Sequence, residues 1–228
     1  MRHCVIIVAG GSGSRFGSSV PKQFLELAGK PVLMRTIDAF EHVLAQQEHE
    51  ITVVLPQTQI AYWQQLCESY GFATAHKVVC GGSTRFESVK NGLGSFGDFA
   101  ADDLVAVHDG VRPLVTPKVI ADTFALAAEK GSAIPVVKVV DSVRLLGDGG
   151  KSEAMDRSVL RAVQTPQTFN AQLLNAAYDV DFDPLFTDDA SVVERYGHEV
   201  WLCAGDERNL KITHKLDLAI AEKLLESE

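Results

Sequence analysis

The sequence has no CxxC pair, no HExxH and no run of basic residues. Each absence removes a class of function. Cys4, Cys67, Cys80 and Cys203 lie far apart, so neither a structural zinc nor a metalloprotease site is expected. Reduced thiols in a cytoplasmic protein are the expectation instead. A net charge of −9 without a basic face argues against a grip on nucleic acid. No segment approaches the ~20 apolar residues of a membrane span. The apolar run from Cys4 to Ala9 is too short for a signal-peptide core and lacks a cleavage pattern after it. There is no fixed-period repeat, no low-complexity stretch and no linker, so a single domain over 1–228 is expected.

What is present is an ordinary globular composition, 46% hydrophobic and 22% charged. The run from His3 to Ala9 reads as a buried parallel strand feeding a glycine loop. After Pro31, the residues Leu33, Ile37, Phe40 and Leu44 recur at helical spacing. Strands are expected at Glu50 to Leu55, His76 to Cys80, Leu104 to His108 and Ser132 to Val136. Helices are expected at Ile60 to Tyr70, Ser83 to Gly94, Pro117 to Lys130 (capped by Gly131) and Lys215 to Leu225. This alternation predicts an α/β fold, a Rossmann-like mostly parallel sheet with helices on both faces. One segment departs from it. From about 136 to 164 the chain alternates in part and contains Gly147-Asp148-Gly149-Gly150, which predicts a protruding β-hairpin arm. An isolated hairpin is marginal in water, so the arm should pack against something, most simply the same arm of a second copy.

The opening strand runs into Ala9-Gly10-Gly11-Ser12-Gly13-Ser14-Arg15, followed by Pro21-Lys22. Glycines there expose backbone N–H groups and let a ligand come close. Arg15 and Lys22 add two cations, and no Asp or Glu precedes Glu26 in a chain that is acidic elsewhere. An anionic ligand is expected. Gly11, Gly13 and Gly17 give GxGxxxG, one residue too long for a dinucleotide fingerprint, and no acid ends the second strand. Lys22 follows proline rather than glycine, which disfavours a Walker loop.

The opening motif resembles the nucleotidyltransferases that activate sugar and polyol phosphates. Further motifs narrow it: Gly81-Gly82-Ser83-Thr84-Arg85-Phe86-Glu87-Ser88-Val89, Val107-His108-Asp109-Gly110-Val111-Arg112-Pro113, Thr165-Pro166-Gln167, Thr187-Asp188-Asp189-Ala190-Ser191 and Asn209-Leu210-Lys211-Ile212-Thr213. In this order and spacing they resemble the 2-C-methyl-D-erythritol 4-phosphate cytidylyltransferase family of the non-mevalonate isoprenoid pathway, over nearly the whole chain.

The resemblance implies a reaction between CTP and a polyol phosphate in which Arg15 and Lys22 are catalytic. It implies nucleotide contacts from Ala9, Gly10, Gly11, Gly13, Gly82, Arg85, Ser88, Asp109, Gly110 and Thr165. It implies acceptor contacts from Gly110, Arg112, Ser142, Arg157, Thr187 and Lys211. A carboxylate beside a triphosphate needs a bridging hard cation, so Mg²⁺ at Asp109 is implied. Arg157 lies in the expected arm, so a homodimer in which it reaches the partner's site is implied. Some residues depart from the family pattern. Gly10 replaces a common alanine, Gly110-Val111 replaces Ala-Ala, Ser83 replaces an aspartate and Ser142 replaces a threonine. A cytidylyltransferase for another acceptor, such as ribitol 5-phosphate, would share the loop and the arm. A nucleotide sensor on the same fold would be expected to lose Arg15 or Lys22, and both are present.

Fixed cations beside the departing pyrophosphate bind more strongly in the transition state than before it. Arg15→Ala should therefore lower turnover a few hundredfold, about 3–4 kcal/mol. A steady-state pyrophosphate-release assay checks this, and unchanged turnover would favour the sensor.

Overall fold

The computed structural model describes residues 1–11 and 20–226. Twelve strands are described: β1 (His3–Val8), β2 (Glu26–Leu27), β3 (Lys30–Pro31), β4 (His49–Leu55), β5 (Lys77–Cys80), β6 (Leu104–Asp109), β7 (Ser132–Lys138), β8 (Val143–Leu146), β9 (Ser152–Met155), β10 (Arg161–Val163), β11 (Gln167–Asn170) and β12 (Leu202–Ala204). The helices are α1 (Val32–Leu44), α2 (Gln57–Ser69), α3 (Arg85–Leu93), α4 (Pro117–Lys130), α5 (Ala171–Ala177), α6 (Asp189–Arg195) and α7 (Lys215–Glu226).

The main sheet runs β10-β7-β11-β6-β1-β4-β5, with β12 parallel on β7. Strands β6, β1, β4 and β5 are mutually parallel, as their uninterrupted apolar runs predict. Side chains alternate across the sheet. Val5 and Ile7 of β1 face α1 and α4 in one core, with Ile37, Phe40, Ile120 and Phe124. Cys4 and Ile6 face α3, α5 and α6 in the other, with Val89, Leu174 and Val193. Helices therefore cover both faces, as expected. Gly131 closes α4 at φ 86, a left-handed position that glycine occupies without steric cost.

The structure adds strands β11 and β12 and helices α5 and α6 to the expected elements, and the arm is built differently. Strand β11 enters between β6 and β7 and runs antiparallel to both. Its four residues are too few to show a period, and it lies in a segment whose motif dominates its pattern. The arm is also rooted more deeply than a bare hairpin. Its first limb continues β7 to Lys138, and β10 returns along β7 in the same sheet. Within the arm, only β8 and β9 form a ribbon separate from the main sheet. Burying the base of the arm in the main sheet supplies the neighbours that a free hairpin lacks.

The return strand is irregular where it meets the sheet. Thr168 pairs with Ala133, but Val163 pairs with Val136. The partner of β7 thus carries two extra residues between these pairs, and the bulge formed by Gln164, Thr165 and Pro166 turns side chains toward the end of β6.

Candidate functional site

A cleft of about 300 Å³ opens at the carboxyl ends of β1, β4, β5 and β6. This is where open α/β sheets bind ligands. Its walls include Ala9, Gly10, Gly11, Lys22, Gly82, Arg85, Ser88, Asp109 and Lys211.

Asp109 ends β6 and is buried. Its Oδ2 lies 3.0 Å from Arg112 Nε and 3.0 Å from Lys211 Nζ. Burial alone would raise its pKa, but Lys211, Arg85 and Arg112 overcome that and hold it well below the usual carboxylate range. It is ionised at any working pH. A single carboxylate fits Mg²⁺, which keeps several waters and would take further ligands from a phosphate-bearing ligand.

The turn after Asp109 is held from behind. Gly110 N–H donates to the Val8 carbonyl at 2.9 Å. A side chain on Gly110 would place its Cβ 2.9 Å from the Ala9 Cβ, so only glycine permits this approach of β6 to the start of the glycine loop. His108 is fully buried, and burial pushes its imidazole down to about 4, so it is neutral. Its Nε2 faces the Arg112 carbonyl at 3.2 Å, which can only accept, so Nε2 carries the proton. Its Nδ1 then accepts from the Thr165 hydroxyl at 3.1 Å, and that hydroxyl accepts the Asp109 N–H at 3.0 Å. Thr165 thus stands behind the carboxylate rather than on the cleft wall, with its hydroxyl committed.

Gly81 and Gly82 pack on the first turn of α3. A Cβ on Gly82 would lie 2.2 Å from the Glu87 Cβ. Thr84 caps the helix and Glu87 closes the capping box. Ser88 Oγ donates to the Thr84 carbonyl at 2.8 Å and accepts the Gly82 N–H at 3.2 Å. Arg85, at the first position of α3, makes a two-pronged pair with Asp189 at 2.9 and 2.6 Å. Asp189 is fully buried at the first position of α6 and also accepts from the Tyr178 hydroxyl at 2.6 Å. The pair holds the guanidinium protonated and fixes its plane against the cleft wall.

Lys22 sits in a single 3-10 turn, Lys22–Phe24, directly after Pro21. Next to it, the buried Gln23 donates through Nε2 to the Ala9 carbonyl at 2.7 Å and to Gln59 Oε1 at 2.7 Å. Gln23 thus ties the Lys22 turn to the end of β1. Arg15 and Gly13 lie outside the described residues.

The remaining expected contacts stand elsewhere. Thr187 is exposed just before α6, and Ser142 is exposed just before β8. Arg157 lines a separate depression in the arm with Lys138 and Arg161, and its Nη1 donates to the Val140 carbonyl. Within one chain these three are not brought to the cleft wall.

The comparisons with known proteins decide the family. The profile of the 2-C-methyl-D-erythritol 4-phosphate cytidylyltransferase family matches residues 3–227. The chain belongs to this family. A cytidylyltransferase of that name from Phocaeicola vulgatus is 51% identical over 99% of this chain and 100% of its own length. One from Geobacter metallireducens is 37% identical over 98% and 97%. Among solved structures, the 4-diphosphocytidyl-2C-methyl-D-erythritol synthase of Anaerococcus prevotii superposes with a TM-score of 0.81 at 27% identity, covering 98% of this chain and 96% of that one. The cytidylyltransferase from Thermus thermophilus superposes with a TM-score of 0.76 at 30% identity, covering 99% and 100%. The cytidylyltransferase family thus accounts for the fold and for the order of the motifs.

Several residues of this cytidylyltransferase site were not singled out from the sequence: Gln23, His108, Gln164, Asp189 and Asn209. All are buried polar groups. Each lies within or beside a quoted motif, so the signal was present, but a motif does not tell which of its members turn inward.

Asp189→Asn keeps the shape and removes the charge. Breaking a buried pair by removing one partner costs about 3–5 kcal/mol. The low end is expected, because the Arg85 side chain keeps 30% of its surface exposed. Urea denaturation should show the midpoint falling with an unchanged slope, and an unshifted midpoint would mean that the pair adds nothing to stability.

Proposed function

We propose that this chain transfers CMP from CTP to 2-C-methyl-D-erythritol 4-phosphate, giving 4-diphosphocytidyl-2-C-methyl-D-erythritol and pyrophosphate, a step of the non-mevalonate route to isoprenoid precursors. The observation that carries it is the convergence of Lys22, Arg85, Asp109 and Lys211 on one cleft, in a chain that matches the family from 3 to 227.

A phosphate oxygen of the acceptor attacks the α-phosphorus of CTP, and the bond to the bridging oxygen of pyrophosphate breaks. The acceptor is already an anionic nucleophile, so no general base is needed. Alignment and charge neutralisation carry the step. In this reading Arg15 and Lys22 face the α-phosphate and the departing pyrophosphate. The Gly81-Gly82 turn faces cytosine, and Gly110 lets the Asp109 turn close against the start of the glycine loop. Mg²⁺, held at Asp109, would neutralise triphosphate charge. Lys211 meets the acceptor's phosphate.

The same reading makes the active species a homodimer. Exposed apolar side chains crowd the arm: Val140, Leu145, Leu146 and Val159 are each more than half exposed. A second copy's arm would cover them, and would bring Arg157 of the partner subunit, together with Ser142 and Thr187, toward the acceptor. Work in the cytoplasm, where CTP is made, is part of this reading. It is supported by Cys4, Cys67, Cys80 and Cys203, all free thiols. Among the described residues no helix is long and apolar enough to cross a membrane.

An acceptor panel assayed with CTP, UTP and ATP tests base and polyol together. Release of pyrophosphate is expected with CTP and 2-C-methyl-D-erythritol 4-phosphate. Brisk release with ribitol 5-phosphate and none with methylerythritol phosphate would replace the acceptor. Sedimentation at micromolar concentration should show a dimer, and Arg157→Ala should raise the acceptor KM. A fully active monomer would overturn the action of Arg157 across subunits.

A further inference from the structure

We propose that Asn209 is a positioning residue for the transfer: it sets where Lys211 stands relative to Asp109, and it does so through the strand that returns from the arm. The proposal rests on the reading that Lys211 meets the acceptor's phosphate.

Asn209 is fully buried, and its hydrogen bonds join separate segments behind the cleft. Its Nδ2 donates to the Thr165 carbonyl at 2.8 Å. Its carbonyl accepts from Arg112 Nη1 at 2.8 Å, and the same guanidinium donates through Nε to Asp109 at 3.0 Å. Its N–H donates to the Asp206 carbonyl at 2.9 Å, closing a tight turn. Two residues later Lys211 Nζ reaches Asp109 Oδ2 at 3.0 Å, and Ile212 N–H donates to the Val111 carbonyl at 2.9 Å. Asn209 is thus the joint between the Asp109 turn, the bulge that holds Thr165, and the segment that carries Lys211.

Gln164 braces that joint. Its amide grips Asp206 at both backbone atoms, donating to the carbonyl at 2.8 Å and accepting the N–H at 3.1 Å. Gly205 must lack a side chain for this grip, because a Cβ there would lie 2.5 Å from Gln164 Oε1. Gln164 directly follows β10, the last strand of the arm.

The chemistry of the position argues for placement over stability. Asn209 Oδ1 is buried and has no hydrogen-bond partner among the described residues. An unsatisfied buried oxygen is costly, and an apolar side chain would avoid that cost. Turning the amide over would set its oxygen against the Thr165 carbonyl, so the orphan cannot be relieved by a flip. An arrangement that accepts this penalty keeps a directional donor on the Thr165 carbonyl.

The test is a double-mutant cycle with Asn209→Ala and Lys211→Ala, each assayed for kcat, for KM with CTP and for KM with the acceptor. Asn209→Ala should lower kcat/KM for the acceptor about tenfold or more, as small misplacements do, while the KM for CTP stays within about twofold. Added to Lys211→Ala, it should change the acceptor kcat/KM by less than about twofold, because its effect runs through Lys211. An equal loss in both backgrounds, or an unchanged acceptor kcat/KM in folded Asn209→Ala with Lys211→Ala impaired, overturns the role of Asn209 alone. An unimpaired Lys211→Ala overturns the reading of Lys211, and this proposal with it. Should Asn209→Ala fail to fold, Asn209→Ser and Gln164→Ala loosen the same joint and carry the same comparison.

Discussion

A single buried carboxylate organises this protein. Asp109 ends the strand that lies beside β1 in the sheet, and burial there would normally neutralise an acid. Three cations hold it charged instead: Lys211 and Arg112 in contact, and Arg85 across the cleft. Each comes from a different part of the chain. The architecture of the site is largely the set of devices that keep those cations in place: the Asp189 pair for Arg85, the Asn209 carbonyl for Arg112, and the Val111–Ile212 backbone bond for the segment of Lys211.

The same arrangement suits a reaction that needs no proton transfer. Anions must be gathered, aligned and discharged, and fixed charges in a partly desolvated cleft do this without reorganising during the step. His108 fits that picture. It is neutral, holds one tautomer and acts only as a strut between Thr165 and the Arg112 carbonyl. Around the cleft, His108, Thr165, Asp189 and Asn209 are buried supports, while Asp109, Arg85 and Lys211 bring charge to its wall.

Much of this could be read from the sequence. The apolar runs of β1, β4 and β6 and the spacing in α1 and α4 specified a parallel sheet with helices on both faces. The glycine loop and the five motifs that follow it in order specified a nucleotidyltransferase. Strand β11 escaped notice because four residues in the interior of an irregular segment carry no period. The depth of the arm's root also escaped notice, since whether Val136 to Lys138 pair with Arg161 to Val163 depends on a bulge that local pattern does not encode. Arg85 and Ser88 were legible as members of one motif. That Arg85 is locked to Asp189, and Ser88 to the Thr84 carbonyl and Gly82 N–H, was not.

By itself, then, the sequence determined the chemistry of the ligand and the class of the fold, because glycine spacing, local charge imbalance and hydrophobic period are properties of neighbours along the chain. Only the tertiary structure decided which polar residues line the cleft and which hold those that do. Arg85 meets Asp189 across 104 residues and Arg112 meets the Asn209 carbonyl across 97. Such partners are chosen by the packing of strands and helices, and a hydrogen bond takes its direction and its worth from the burial that packing creates.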